Sequence, residues 1–90
     1  MITTNSKVIV TKGSRSLLVD KGVSAQIQAI QPLGAEYGHK VRVTFKFLNG
    51  FKSGKVVTYY ARHSNRLADT IIRFNNGDDP TNYFEVKIKT

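Results

Sequence analysis

Hydrophobic and polar residues alternate over much of the chain. Between Val41 and Phe47, the apolar Val41, Val43, Phe45 and Phe47 fall on one side and Arg42, Thr44 and Lys46 on the other. A repeat of two marks a strand with one face in a core. Phe84, Val86 and Ile88 alternate with Glu85, Lys87 and Lys89 in the same way, and Val23, Ala25, Ile27 and Ala29 alternate with Ser24, Gln26 and Gln28. Two other runs predict strands without a wholly polar face: Lys7–Thr11, with Val8, Ile9 and Val10 in succession, and Lys55–His63, with Val56, Val57, Tyr59 and Tyr60. Continuous apolar character suits strands covered on both sides, or strands with one dry face and one binding face. Tyr59 and Tyr60 are adjacent, so they point to opposite faces and one of them belongs to the core.

Turn residues separate these runs. Gly13-Ser14, Lys21-Gly22, the loop from Pro32 to Gly38, Asn49-Gly50 and Asn76–Pro80 all carry the residues that turns require. Short strands at this spacing predict a small barrel or sandwich. The segment Ser64–Phe74 has two readings. Leu67, Ile71 and Phe74 stand at helical spacing behind a Ser64 or Asn65 cap, whereas Thr70–Phe74 is β-branched enough to pair with Tyr83–Lys89. A helical turn at Asn65–Asp69 followed by a short strand is the preferred expectation.

The run Lys21-Gly22-Val23-Ser24-Ala25-Gln26-Ile27-Gln28-Ala29-Ile30, followed by Lys40–Phe45, resembles the SH3-like small barrels, in particular the KOW-type modules of transcription and translation proteins. In that pattern a glycine opens a strand of alternating hydrophobics that returns through a loop to a third strand. The likeness covers Lys7 to Phe47 and departs from the pattern at Ala25, where a second glycine is usual. It implies nucleic acid or ribonucleoprotein partners. The expected fold is therefore mainly β: a small SH3-like barrel of about five strands, with an extra C-terminal strand or hairpin and one short helical turn near 65–69.

Composition narrows the chemistry. Ninety residues make one domain, and 40% apolar content is enough for a core, though a thin one. With no cysteine there is no disulfide, no thiolate and no Cys-type zinc site. His39 and His63 are far apart in sequence and lack the spacing that aims two imidazoles at one ion from a helix, so neither a metal nor a cofactor is expected. Met1–Val10 lacks the charged and apolar regions of a signal peptide, and no apolar run approaches the roughly 18 residues of a membrane span. The expectation is a cytoplasmic protein without a membrane partner.

Charge supplies the functional lead. Fourteen Lys and Arg oppose six Asp and Glu, giving a formal +8, and no acidic residue lies between Glu36 and Asp69. That interval holds Lys40, Arg42, Lys46, Lys52, Lys55, Arg62 and Arg66, interleaved with Phe51, Tyr59 and Tyr60. On neighbouring strands and their turn these residues are expected to form one surface. Cations hold phosphates through counterion release and aromatic rings stack on bases, a pairing used by readers of single strands and RNA. The candidate phosphate contacts are Arg42, Lys46, Lys52, Lys55, Arg62 and Arg66, with Phe51 and Tyr60 stacking. Lys12, Arg15 and Lys21 are candidates to extend the surface.

Other chemistry fits less well. Gly50–Lys55 fails as a phosphate loop, because three residues rather than four separate the glycines and Val56 follows the lysine. Asp78-Asp79 ahead of Pro80 reads as a turn device rather than an acid–base pair. No nucleophile motif surrounds any serine, so an enzyme is not expected. The expected function is non-enzymatic nucleic-acid binding, DNA or RNA, in a transcription or translation accessory or a phage-type regulator. The alternative is a protein-interaction module or inhibitor that docks its basic face on an acidic protein surface.

Overall fold

The computed structural model describes residues 1–89. Six strands form a closed barrel in sequence order: β1 (Lys7–Lys12), β2 (Ser24–Pro32), β3 (Val41–Phe47), β4 (Val56–Ala61), β5 (Ile72–Asn75) and β6 (Tyr83–Ile88). Every neighbouring pair is antiparallel, and β1 meets β6 to close the ring. Closure removes free edges everywhere except at the β4–β5 seam, where only Tyr60 and Asn75 pair. The C-terminal hairpin expected from the sequence is present as β5–β6 and completes the wall. Among the described residues no helix is long and apolar enough to cross a membrane.

Alternation places the side chains. On β3, Val41, Val43, Phe45 and Phe47 are buried, while Arg42 and Lys46 face outward. On β4, Tyr59 is in the core and Tyr60 half-buried outside it. On β1, Val8 and Val10 point in and Ile9 is half-buried.

The strand β2 departs from its sequence pattern. Ile27 pairs with Phe45 but Ala29 pairs with Thr44, so Gln28 is an extra residue in a β-bulge. The bulge reverses the alternation beyond it. Ala29, expected inside, is exposed, and Ile30 instead packs against the core. Val23 is buried but precedes the strand, and Ser24, expected on the polar face, is only 5% exposed. The Ser24 N–H donates to Asn49 Oδ1 at 2.9 Å, and its hydroxyl accepts from Lys89 Nζ at 3.4 Å.

The ambiguous segment resolves into a 3-10 turn at Ser64–Ala68 followed by β5. His63 caps the turn, its Nδ1 accepting the Asn65 N–H at 3.2 Å. Leu67 is buried but Ile71 is exposed, whereas Ile72 and Phe74 are fully buried, so strand alternation overrides helical spacing there. Ile2, which carried no sequence signal, is also buried and donates its N–H to the Leu67 carbonyl.

Phe45 sits at the centre of the core. Its ring meets Phe74 edge-on at 4.8 Å, Tyr59 at 5.6 Å and Phe84 at 5.8 Å, and stacks with Phe47 at 6.2 Å. Edge-to-face pairs add to the burial each ring contributes. Truncating Phe45 to Ala should therefore cost about 3–5 kcal/mol. Urea unfolding should show a large fall in midpoint with little change in slope, and a loss under about 1 kcal/mol would contradict this placement.

Candidate nucleic-acid interface

The strand register carries one row of polar residues around the outside of the barrel. Gln31 pairs with Arg42, Arg42 with Tyr60, Tyr60 with Asn75, and Asn75 with Tyr83. Neighbours in the row orient one another. The Arg42 guanidinium donates to Gln31 Oε1 at 3.3 Å and lies 5.7 Å from the Tyr60 ring centre. Tyr83 has the Arg73 guanidinium 4.6 Å and the Lys12 ammonium 4.8 Å from its ring centre, and its hydroxyl accepts from Lys12 Nζ at 3.3 Å.

Above this row runs a groove made of three hollows that share walls. The first, about 560 Å³, is lined by Tyr37, Lys40, Arg42, Tyr60, Gly77 and Asp78, among others. The second, about 540 Å³, shares Lys40 and Gly77 with it and adds Arg62, Arg73, Asn75 and Tyr83. The third, about 240 Å³, shares Arg62 and Arg73 with the second and adds Arg66, Asp69 and Ile71. Lys40 spans the first junction, donating to the Gly77 carbonyl at 3.4 Å.

Five cations therefore line one path together with the carboxylates Glu36, Asp69 and Asp78, and among the described residues only Arg66 and Arg73 of the five are ion-paired. Arg66 pairs with Asp69 at 3.6 Å with both side chains about half exposed, and Arg73 pairs with Glu85 at 3.3 Å. Solvent-exposed pairs of this kind contribute about 0–1 kcal/mol, so an incoming phosphate can displace them. Among the described residues Arg62 makes no ion pair.

The groove collects only part of the expected set. Arg42, Tyr60, Arg62 and Arg66 line it, but Lys46, Phe51, Lys52 and Lys55 do not. They gather at the β3–β4 hairpin, the opposite end of the same two strands. The β4 run from Lys55 to Arg62 covers about 23 Å at roughly 3.3 Å per residue. The acid-free interval is continuous in sequence, but two antiparallel strands carry its halves to opposite poles, so one expected surface becomes two. Lys52 is also less free than a loop lysine. Its ammonium donates to the Tyr59 hydroxyl at 2.9 Å and lies 5.6 Å from the centre of that ring.

The path also uses residues the sequence did not single out. Arg73 lies past Asp69, outside the acid-free interval, and Tyr37 sits in a 3-10 turn at Ala35–Tyr37. The alternation Ile72-in, Arg73-out, Phe74-in is the signal that marks Arg73. Of the three residues suggested as extensions, Lys12 reaches the groove through Tyr83. Lys12 and Arg15 line a separate hollow beside it, which Tyr83 also borders.

Two other features bear on chemistry. His39 and His63 come together with ring centres 6.2 Å apart, a proximity their sequence separation concealed. Among the described residues no group of three or more His, Cys, Asp or Glu side chains is placed to hold a metal ion. Asp79 accepts from the Thr81 hydroxyl and the Thr81 N–H, which hold its carboxyl below the usual value. Asn76 Oδ1 accepts the N–H groups of Asp78 and Asp79. These acids and amides shape a turn, in keeping with the sequence reading.

No family model matches the chain, and no curated protein or solved structure matches it either. The site has to be read from its own geometry.

Gly77 supports that geometry. It has φ +96°, and a Cβ built on it would lie 3.0 Å from Cδ2 and Cε2 of Tyr60. Gly77→Ala should cost about 1–2 kcal/mol from backbone strain alone, and it should move the Tyr60 ring. Thermal unfolding and the Tyr60 ring proton shifts check this, and unchanged shifts would show that the loop does not seat the ring.

Proposed function

We propose that the barrel binds single-stranded nucleic acid non-covalently along the groove from Tyr37 and Arg42 to Arg66. The observation that carries this reading is the continuity of the path, with Lys40, Arg42, Arg62, Arg66 and Arg73 lining connected hollows. Guanidinium groups offer planar paired donors to phosphate oxygens. Tyr37 is 57% exposed and presents an open ring for a base. Tyr60, with Gly77 against one face and Arg42 nearby, contributes mainly by shaping the wall. The resemblance of Lys21–Phe45 to KOW-type modules points the same way. The formal charge of +8 adds long-range attraction to any polyanion.

A second reading, docking on an acidic protein surface, draws on the same arginines and tyrosines, since these residues also dominate protein hot spots. Salt dependence separates the two. Titration of fluorescent single-stranded DNA, RNA and duplex should give a log–log slope of about −3 to −4 for four to six phosphate contacts on a single strand. Arg62→Ala should weaken binding about tenfold irrespective of sequence and reduce the slope by about 0.7. Tyr37→Ala should weaken single strands by tenfold or more, at about 1–3 kcal/mol per stacked base, while affecting duplex less. No binding near 50 mM salt would end the nucleic-acid reading.

A further inference from the structure

The β3–β4 hairpin presents a second surface that the groove does not use. Phe51 at its tip is 72% exposed, with Val56 at 59% and Leu48 at 44%. Large apolar side chains exposed on one hairpin suit a contact surface. The turn beneath them is braced. Gly54 donates its N–H to the Phe47 carbonyl at 2.8 Å, Lys55 to Lys52 at 2.9 Å, and Ser53 to Gly50 at 3.1 Å, while the Ser53 hydroxyl reaches the Leu48 carbonyl at 3.3 Å. Gly50, at φ +80°, lies so close to Val23 that a Cβ there would come within 2.6 Å of it. Lys52 adds the tether to Tyr59. The aromatic ring is thus presented on a shape that is already ordered, so little is lost on binding.

The chemistry around Phe51 selects the occupant. Lys52 and Lys55 lie in the turn that carries Phe51, Lys46 pairs with Val56 at its base, and no acidic residue lies between Glu36 and Asp69 in sequence. Lysine is depleted in protein–protein interfaces, whereas an exposed aromatic ring beside cations is how proteins stack on the bases of a single strand. The face between the two poles differs from both. Ala29, Thr44 and Thr58 stand in register there, with the two threonine hydroxyls 3.2 Å apart, and offer no cation. This neutral band separates Arg42 of the groove from Lys46 of the hairpin along β3.

We propose that the hairpin is a second nucleic-acid contact and that the barrel holds two nucleic-acid segments at once, one in the groove and one on Phe51. The protein then brings strands together rather than merely coating one. This rests on the nucleic-acid reading of the groove, and the test separates the two claims.

The experiment mixes the full chain with two short, non-complementary single-stranded oligonucleotides, one carrying a donor and one an acceptor dye. Stoichiometry and energy transfer are followed on complexes that sediment with one copy of the protein. Two oligonucleotides per barrel with energy transfer are expected. Phe51→Ala should weaken the second binding event about tenfold or more and remove the transfer. Its effect on the first event should stay under about twofold, because sites this far apart act independently. Phe51 is so exposed that its truncation leaves the fold intact. One oligonucleotide per barrel without transfer overturns the proposal and leaves the groove reading standing. If Phe51→Ala changes neither readout, the proposal fails and the tip is left for a protein partner. Absence of any binding removes the groove reading and this one with it.

Discussion

The contact on which the rest depends is the edge-on meeting of Phe45 and Phe74, 4.8 Å between ring centres. Most of the barrel wall is held by long ladders, but β4 and β5 share a single registered pair, Tyr60 with Asn75. Hydrogen bonds alone do not close the ring there. Phe45 from β3, Phe74 from β5 and Phe84 from β6 pull the two sides of that seam onto a common core, and Tyr59 from β4 joins them. The groove follows from the same arrangement. Because β4 and β5 part after one pair, Arg62 and Arg73 stand at the lips of a hollow instead of lying flat in a continuous sheet. A fully zipped seam would close the hollows between Arg62 and Arg73.

Much of the architecture was legible because period-two patterning is a local property. Val41–Phe47 could be read residue by residue, and the adjacency of Tyr59 and Tyr60 showed that only one could be buried. Two kinds of feature escaped. A bulge changes the phase of a strand without leaving a mark in composition, so Ala29 and Ile30 exchanged faces unannounced. Proximity made by topology is also invisible along the chain, which is why the meeting of His39 with His63 escaped, and why alternation could turn Arg73 outward without placing it in the groove. The acid-free interval was a true property of the sequence. Its division between two poles followed from the directions of β3 and β4, which no inspection of charge could supply.

The surface charges are arranged for exchange more than for stability. Arg66–Asp69 and Arg73–Glu85 are weak, exposed or part-exposed pairs that steady guanidinium groups without neutralising the groove. Arg42 is held by an amide and an aromatic ring, so its full charge remains. Lys52 differs in kind, since its link to the Tyr59 hydroxyl ties a surface loop to the core. A substitution at Tyr59 that kept the ring and removed only the hydroxyl would act on the hairpin more than on packing.

The extra residue at Gln28 reaches further than one local kink. Counted from Ala25 and Ile27, a regular strand would turn Gln31 inward, and the bulge turns it out to meet Arg42. The length of β2, more than its composition, decides which of its side chains serve the outer surface. Deleting Gln28 would keep Ala29 against Thr44 and Ile30 against Val43 and only straighten the strand. Inserting one residue beyond the bulge would instead swap the inner and outer assignments from there to Pro32, while the overall hydrophobicity of the chain hardly changed. The site is therefore exposed to a kind of mutation that substitution scanning does not sample: a shift in counting.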